Sequence, residues 1–196
     1  MARPRAFDET AVLDAAMSCF WGRGFEATTV KDLVETTGLN AASLYNAFGD
    51  KRALYQKVLD HYVDTRVLDR MRRCEATPGR DAIEAFFAEI LARSLADPDA
   101  KGCMLVNAAI DVAPHDTGFK NIVSDVLVTI EDFFLRCVRA GQDDGAITDA
   151  IPATQLAQHL LAVLLGVRVL ARVRPELTLL TGAVSSGLAL LDTQEA

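Results

Sequence analysis

The 196-residue sequence has little of what marks an enzyme, a secreted protein or a membrane protein. Its four cysteines, Cys19, Cys74, Cys103 and Cys137, show neither C-x-x-C nor metal-ligand spacing. That pattern suits reduced thiols in a cytosolic protein rather than a disulfide framework. The three histidines, His61, His115 and His159, fall in separate segments. No Ser-His-Asp order stands out, and no glycine-rich phosphate loop follows a strand. No metal, no cofactor and no catalytic residue is therefore expected. Prolines number only six, most of them between helix-like stretches. Residues Met1 to Thr10 are polar and charged, without the apolar core of a secretory signal. The longest uncharged run, Ile151 to Val167, opens with a proline and carries Gln155, Gln158 and His159. It reads as too short and too polar to span a bilayer. The expectation is a soluble, cytoplasmic protein with no membrane partner.

What is present is a globular composition, 51 % hydrophobic and 24 % charged. The length allows one helical body and a small appended domain. The formal net charge of −7 argues at first against nucleic acid. However, residues 1–57 hold equal numbers of basic and acidic groups, so the acidic excess lies wholly beyond them. A neutral N-terminal part with well-placed cations can still bind phosphate.

Apolar periodicity is helical throughout. Leu13, Ala16, Met17 and Phe20 mark one face of a first helix from about Asp8 to Arg23. Thr29, with Asp32 three residues on, opens a second that buries Val30, Leu33 and Val34 and stops at Gly38. Asn40 caps a third, about Ala41 to Ala47, with Leu44 and Phe48 inward, and Asp50 caps a long fourth reaching about Arg73. Phe7, Trp21 and Phe25 join Phe20, Leu44 and Phe48 in a small core. Further helices are expected over 80–96, 103–112, 118–140, 153–173 and 176–192. The fold class is all-α: a three-helix helix-turn-helix domain over residues 1–52, then a helical ligand-binding and dimerisation domain over 53–196, joined by the fourth helix.

A helix-turn-helix places its second helix in the major groove of double-stranded DNA. With Leu44 and Phe48 committed inward, Asn40, Ala41, Ala42, Ser43, Tyr45 and Asn46 are left to face the operator. Small residues permit close approach, and Asn46 can pair bidentately with an adenine edge. Tyr45 offers a hydroxyl to a phosphate. Lys51 at the start of the fourth helix, and Thr28 and Thr29 at the second, form further phosphate seats. Arg3 and Arg5 make a short arm able to reach a neighbouring groove.

The runs from Gly24 through Thr28, Thr29 and Val30 to Leu33, and from Gly38 through Tyr45 to Phe48, then Lys51 and Leu54, resemble the N-terminal domain of TetR-family regulators over about residues 8–60. Ala42 stands where that family often has glycine, and Asn46 with Ala47 replaces a frequent aromatic or histidine pair. The resemblance implies a transcriptional repressor, a C-terminal ligand domain and a homodimer formed through the last two helices.

Hydrophobicity points the same way. The 153–173 helix is apolar nearly all round, and no charge occurs from Leu177 to Leu191. Gly182, Ala183, Ser186 and Gly187 allow close helix approach. A four-helix bundle of two chains would cover both surfaces, and a charge at Leu164 or Val184 is expected to disrupt it. Completion of a monomer core is the other reading.

The inducer is unknown. Cys103, Asn107 and Asp111, at i, i+4 and i+8, form a polar strip on an apolar helix and suggest a cavity. Phe87, Phe133, Cys137 and His159 are candidates to surround it. Arg168 and Arg172 could meet an anionic ligand or form solvated or cross-dimer ion pairs. Cys103 follows Gly102 and Lys101, resembling a subset of the family in which such a cysteine senses oxidants or electrophiles. Two readings remain: a repressor released by a reversible small molecule, and one released through Cys103 chemistry. A helical enzyme or binding module would leave the DNA-facing positions without a purpose.

Overall fold

Side-chain caps start the N-terminal helices of the computed structural model, which describes residues 7–193. Asp8 accepts from the Thr10 N–H at 2.9 Å and opens α1, Glu9–Arg23. Thr29 and Asp32 form a reciprocal capping box at α2, Val30–Thr37. Asn40 accepts from the Ser43 N–H at 2.8 Å and opens α3, Ala41–Phe48. Asp50 does the same for Ala53 at 2.7 Å, opening α4, Lys51–Tyr62. Gly38 ends α2 at φ 71°, where a side chain would be strained and glycine is not. The resulting α2–turn–α3 unit sits on α1 and α4 through Ala16, Phe20, Leu33, Leu44 and Phe48, all buried. In α1, Val12 is buried and Leu13 only half-buried, so the face is rotated from the expected one.

The long fourth helix is not uniform. After α4 the chain continues through a π-helical stretch, Val63–Leu68, into α5, Asp69–Cys74. The body follows: α6 (Gly79–Leu95), α7 (Met104–Asp111), α8 (Thr117–Asp143), α9 (Ala153–Val173) and α10 (Leu177–Leu188), which ends in a 3-10 turn, Ala189–Leu191. No strand occurs among the described residues. Phe86 and Phe87 of α6 pack against Phe133 and Phe134 of α8, with ring centroids 5.2–5.8 Å apart across the two helices. Such pairs add to the area they bury.

The start of α8 docks on the N-terminal helices. Arg52 donates twice to the Asp116 carboxylate, at 2.6 and 2.9 Å, and lies over the Phe119 ring. Phe119 in turn meets Tyr55 edge-on at 5.2 Å. Arg52 holds the Asp116 carboxyl at a pKa of about 2, and the Phe119 and Gly118 N–H groups assist.

Helix α9 is 21 residues long and includes an 18-residue stretch of mean hydropathy 1.6, long and apolar enough by composition to cross a membrane. Within the fold, α9 packs on α8 and α10 and buries Leu156, Leu160, Leu164 and Val167. Leu164 and Val184 lie inside the protomer, each 5 % exposed, so a charge there perturbs the fold and does not report on an interface. The face left open on α9 carries Ala162, Gly166, Val169 and Val173. On α10 it carries Gly182, Ser185 and Ser186. A Cβ added to Gly166 or Gly182 would meet nothing within 4 Å, whereas one on Gly187 would press on Val163 at 2.8 Å.

Candidate nucleic-acid interface and interdomain cavity

Helix α3 presents an uncommitted face. Leu44 and Phe48 anchor it below, and Ala41, Ala42, Tyr45 and Asn46 stand exposed above, with Ser43 half-buried. Asn40 is exposed but its side chain is spent on the cap. Thr29 is exposed, and its hydroxyl donates to Asp32 at 2.6 Å. Thr28 departs from expectation: it is 1 % exposed and its hydroxyl donates to the Gly24 carbonyl at 2.6 Å, so it has no hydroxyl to offer a phosphate. Lys51, the first residue of α4, is held against the α1–α2 loop by the Glu26 carbonyl, 3.3 Å away, and by the Phe25 ring, 4.5 Å below its ammonium. Arg3 and Arg5 lie outside the described residues.

The expected ligand residues do not gather in one place. Cys103 is the N-cap of α7, buried, with its sulfur accepting from the Tyr62 hydroxyl at 3.4 Å. Asn107 faces a different, shallow groove between α7 and the end of α9, and its amide donates to the Lys101 carbonyl at 3.1 Å. Phe87 and Phe133 belong to the closed aromatic core. Cys137 is buried beside Glu75, and burial pushes its thiol up to about 11. His159 donates from Nε2 to the Gly187 carbonyl at 3.0 Å, tying α9 to α10.

A cavity lies between the N-terminal helices and the body. It has a volume of about 320 Å³. Trp21 from α1, Tyr62, Arg66 and Arg70 from the linking helix, Lys101 from the α6–α7 loop, and Arg168 from α9 line it. Arg168 is 7 % exposed and donates to the Ser94 hydroxyl at 3.0 Å and the Gly102 carbonyl at 2.9 Å. Burial disfavours its charge, but Cys103 and Tyr62 more than offset that and raise its pKa. Burial alone would raise the Cys103 thiol as well; Arg168, the Tyr62 hydroxyl and the Val106 N–H outweigh it, so its pKa falls below the ordinary thiol value. Lys101, the cation expected beside Cys103, is turned to Asp99 at 2.8 Å.

Two family models match, one described as bacterial regulatory proteins of the tetR family over residues 12–58, the other as a tetracyclin repressor-like C-terminal domain over 79–185. The chain belongs to the TetR family. TetR-family relatives include the repressor ComR of Escherichia coli, 31 % identical over 87 % of this chain and 82 % of its own. The regulator YezE of Bacillus subtilis is 31 % identical over 98 % and 100 %. A cysteine mutant of the TetR-family regulator CifR, complexed with a 26-bp double-strand operator DNA, superposes with a TM-score of 0.85 at 30 % identity, covering 97 % of this chain and 100 % of that one. This chain is accordingly a DNA-binding transcriptional repressor of the TetR family, with the helix-turn-helix at its N-terminus.

Sequence reasoning for this TetR-family chain missed Trp21, Tyr62, Arg66 and Arg70 as cavity residues and left Arg168 between an anionic ligand and a solvated or cross-dimer ion pair. A signal existed for all but Trp21. Tyr62, Arg66 and Arg70 recur every four residues, and Arg168 stands four after the buried Leu164.

Proposed function

We propose that this repressor binds operator DNA as a homodimer and lets go when a small molecule occupies its C-terminal domain. The observation that carries the DNA half is the exposed α3 face of Ala41, Ala42, Tyr45 and Asn46 above a buried Leu44–Phe48 anchor. The operator-bound structure of its relative CifR supports it. Residues 1–52 act as the reading head, residues 53–196 as the responsive, dimerising body, and α4 with its continuation as the link. The chain works in the cytoplasm as a regulator and not as a catalyst, in keeping with relatives named as transcriptional regulators.

For the dimer, the support is the open seam on α9 and α10. Ala162, Gly166, Val169 and Val173 recur at i, i+4, i+7 and i+11, beside Gly182 and Ser186 of α10. Val169 and Val173 are 43 % and 67 % exposed in the single chain, the size of exposure that a second copy would cover. A half-site alone offers too little contact, so DNA binding follows dimerisation.

A second reading has its own observation. The lowered Cys103 thiol beside Arg168 and Tyr62 suits thiol-based release by an oxidant or electrophile, although burial restricts access to it. Gel-shift titration against the DNA flanking its own gene tests the whole proposal. Selective binding there, abolished in the isolated Asn46→Ala, Tyr45→Ala double variant, is expected; equal affinity for unrelated duplexes would refute it. Cys103→Ser separates the two modes of release: it keeps release by a reversible ligand and loses release by peroxide or quinone.

A further inference from the structure

Two of the donors lining the cavity between the N-terminal helices and the body have nothing to donate to. The Arg66 Nε–H and the Trp21 indole N–H are both buried and have no partner among the described residues. Arg168, buried in the same wall, donates to a hydroxyl and a carbonyl, lies beside Tyr62 and Cys103, and meets no carboxylate. An unpaired buried donor costs about 1–3 kcal/mol, more if charged, so two in one wall, beside a buried arginine, call for a missing acceptor.

The protein's own acids do not supply it. Glu89 is engaged with Arg70 at 3.1 Å, Arg93 at 2.9 Å and Arg73 at 2.8 Å. Asp97, the acidic side chain in the wall, accepts the backbone N–H groups of Asp99 and Lys101. What is left over is positive: Arg66 and Arg168, joined by one neutral indole donor.

The rest of the wall is not polar. Trp21 and Tyr62 meet edge-on at 5.1 Å, and Pro98 and Ala171 flank them. A bare inorganic anion would leave these surfaces uncovered. An oxyanion on a small apolar body fits both halves, since a carboxylate accepts a planar guanidinium bidentately while its carbon skeleton covers the rings.

We infer that this cavity is the binding site for a small organic carboxylate, its oxygens on Arg66, Arg168 and the Trp21 indole, its apolar body against Tyr62, Pro98 and Ala171. The inference rests on the proposed effector-controlled release only for its consequence; occupancy stands apart from it. That consequence comes from the site's composition. Trp21 belongs to α1 of the DNA-reading domain, Arg66 to the π-helical part of the link, and Arg168 to α9 of the proposed dimer seam. One anion would therefore touch all three and favour whichever spacing of the reading heads lets them converge on it.

Trp21 is the sole tryptophan, so its fluorescence reports the site directly. The full-length protein is titrated with benzoate and octanoate, with benzamide and octanamide as uncharged matches, and with sulfate. Both carboxylates are expected to change the emission saturably, with the amides at least tenfold weaker and sulfate weaker still. Arg66→Gln, which removes a half-buried side chain with no ion pair among the described residues, is expected to weaken carboxylate binding at least tenfold. Arg168→Met serves as a second variant, with thermal melting used to confirm that it folds. Amides binding as well as carboxylates, sulfate binding as tightly, unchanged affinity in Arg66→Gln, or no emission change with either carboxylate would each overturn the assignment. Operator release is read in parallel on labelled DNA. Binding without release would leave the site standing and refute the release proposal; release by a neutral compound with Trp21 silent would do the reverse.

Discussion

Ala162→Glu puts a carboxylate in the middle of the α9 seam while leaving the protomer's interior alone. Ala162 is exposed, and its neighbours along the seam, Gly166 and Val169, face the same way. In the isolated chain the change costs only a few tenths of a kcal/mol of helix propensity. In a two-fold dimer the same residue is buried twice, once from each copy. An unpaired buried carboxylate costs several kcal/mol, so about 3 kcal/mol for each copy gives about 6 kcal/mol per dimer. At about 1.4 kcal/mol per decade, the dimer dissociation constant rises about 10⁴-fold, carrying a nanomolar dimer to about 10 μM or beyond. Sedimentation velocity at low micromolar concentration should show the unmodified protein as a dimer and Ala162→Glu as mostly monomer. Its far-UV circular dichroism should remain helical and its operator affinity should collapse. Ala92→Glu, at an exposed position on α6, is the control and should stay dimeric. If Ala162→Glu sediments as the control does, the seam is not the interface.

Lys51→Ala should weaken operator binding on every sequence alike and lower the slope of log affinity against log salt by about 0.9, as expected for one lost phosphate contact; an unchanged slope removes Lys51 from the backbone contacts. Asn46→Ala should relax preference at a single base position by about 1–3 kcal/mol in a randomised-site selection. Thr28→Val should cost about 1 kcal/mol of stability, by orphaning the Gly24 carbonyl, yet leave DNA affinity at permissive temperature intact. A direct loss of affinity at that temperature would restore Thr28 to the interface. Asp116→Asn should lower the melting temperature at neutral pH, and the gap from the unmodified protein should close on acidification. The folded carboxyl titrates near 2 against an ordinary 3.8, so the ion pair's contribution is complete above about pH 4 and lost as the pH falls through 2. A gap that persists at pH 2 would assign the effect to packing.

The caps were legible because they are local. Asp8, Thr29, Asn40 and Asp50 bond backbone groups two or three residues away, and each opens a helix within a residue or two of its expected start. The α3 face was legible for the same reason: its buried anchors and its exposed residues share a single short helix. The cavity was not, for a geometric reason visible at Cys103. With φ −114° and ψ 122°, Cys103 is extended backbone ahead of α7, so helical spacing does not relate it to Asn107. The two side chains accordingly leave in different directions, to different recesses. Thr28 misled in a similar way, since residue type suggested a phosphate ligand but an i−4 carbonyl claimed its hydroxyl first. Arg168 was hidden by its charge: nothing in an arginine's identity says that it will be buried, and only its register with Leu160 and Leu164 does.

The π-helical stretch sets the angular phase between the two ends of the molecule. Leu54, Val58, Tyr62, Arg66, Arg70 and Cys74 step every four residues, as do Tyr55, Leu59, Val63, Val67 and Met71. In an α-helix of 3.6 residues per turn such rows would wind steadily around the axis, carrying the last members away from the side the first ones face. Wider i→i+5 closure between Val63 and Leu68 unwinds part of that drift. Those residues thus keep one flank turned inward from the reading head to the body. The join therefore behaves as a keyed shaft: a single residue removed at exposed Asp64 or Thr65 would turn everything beyond it by about 100° and leave both halves folded but out of phase.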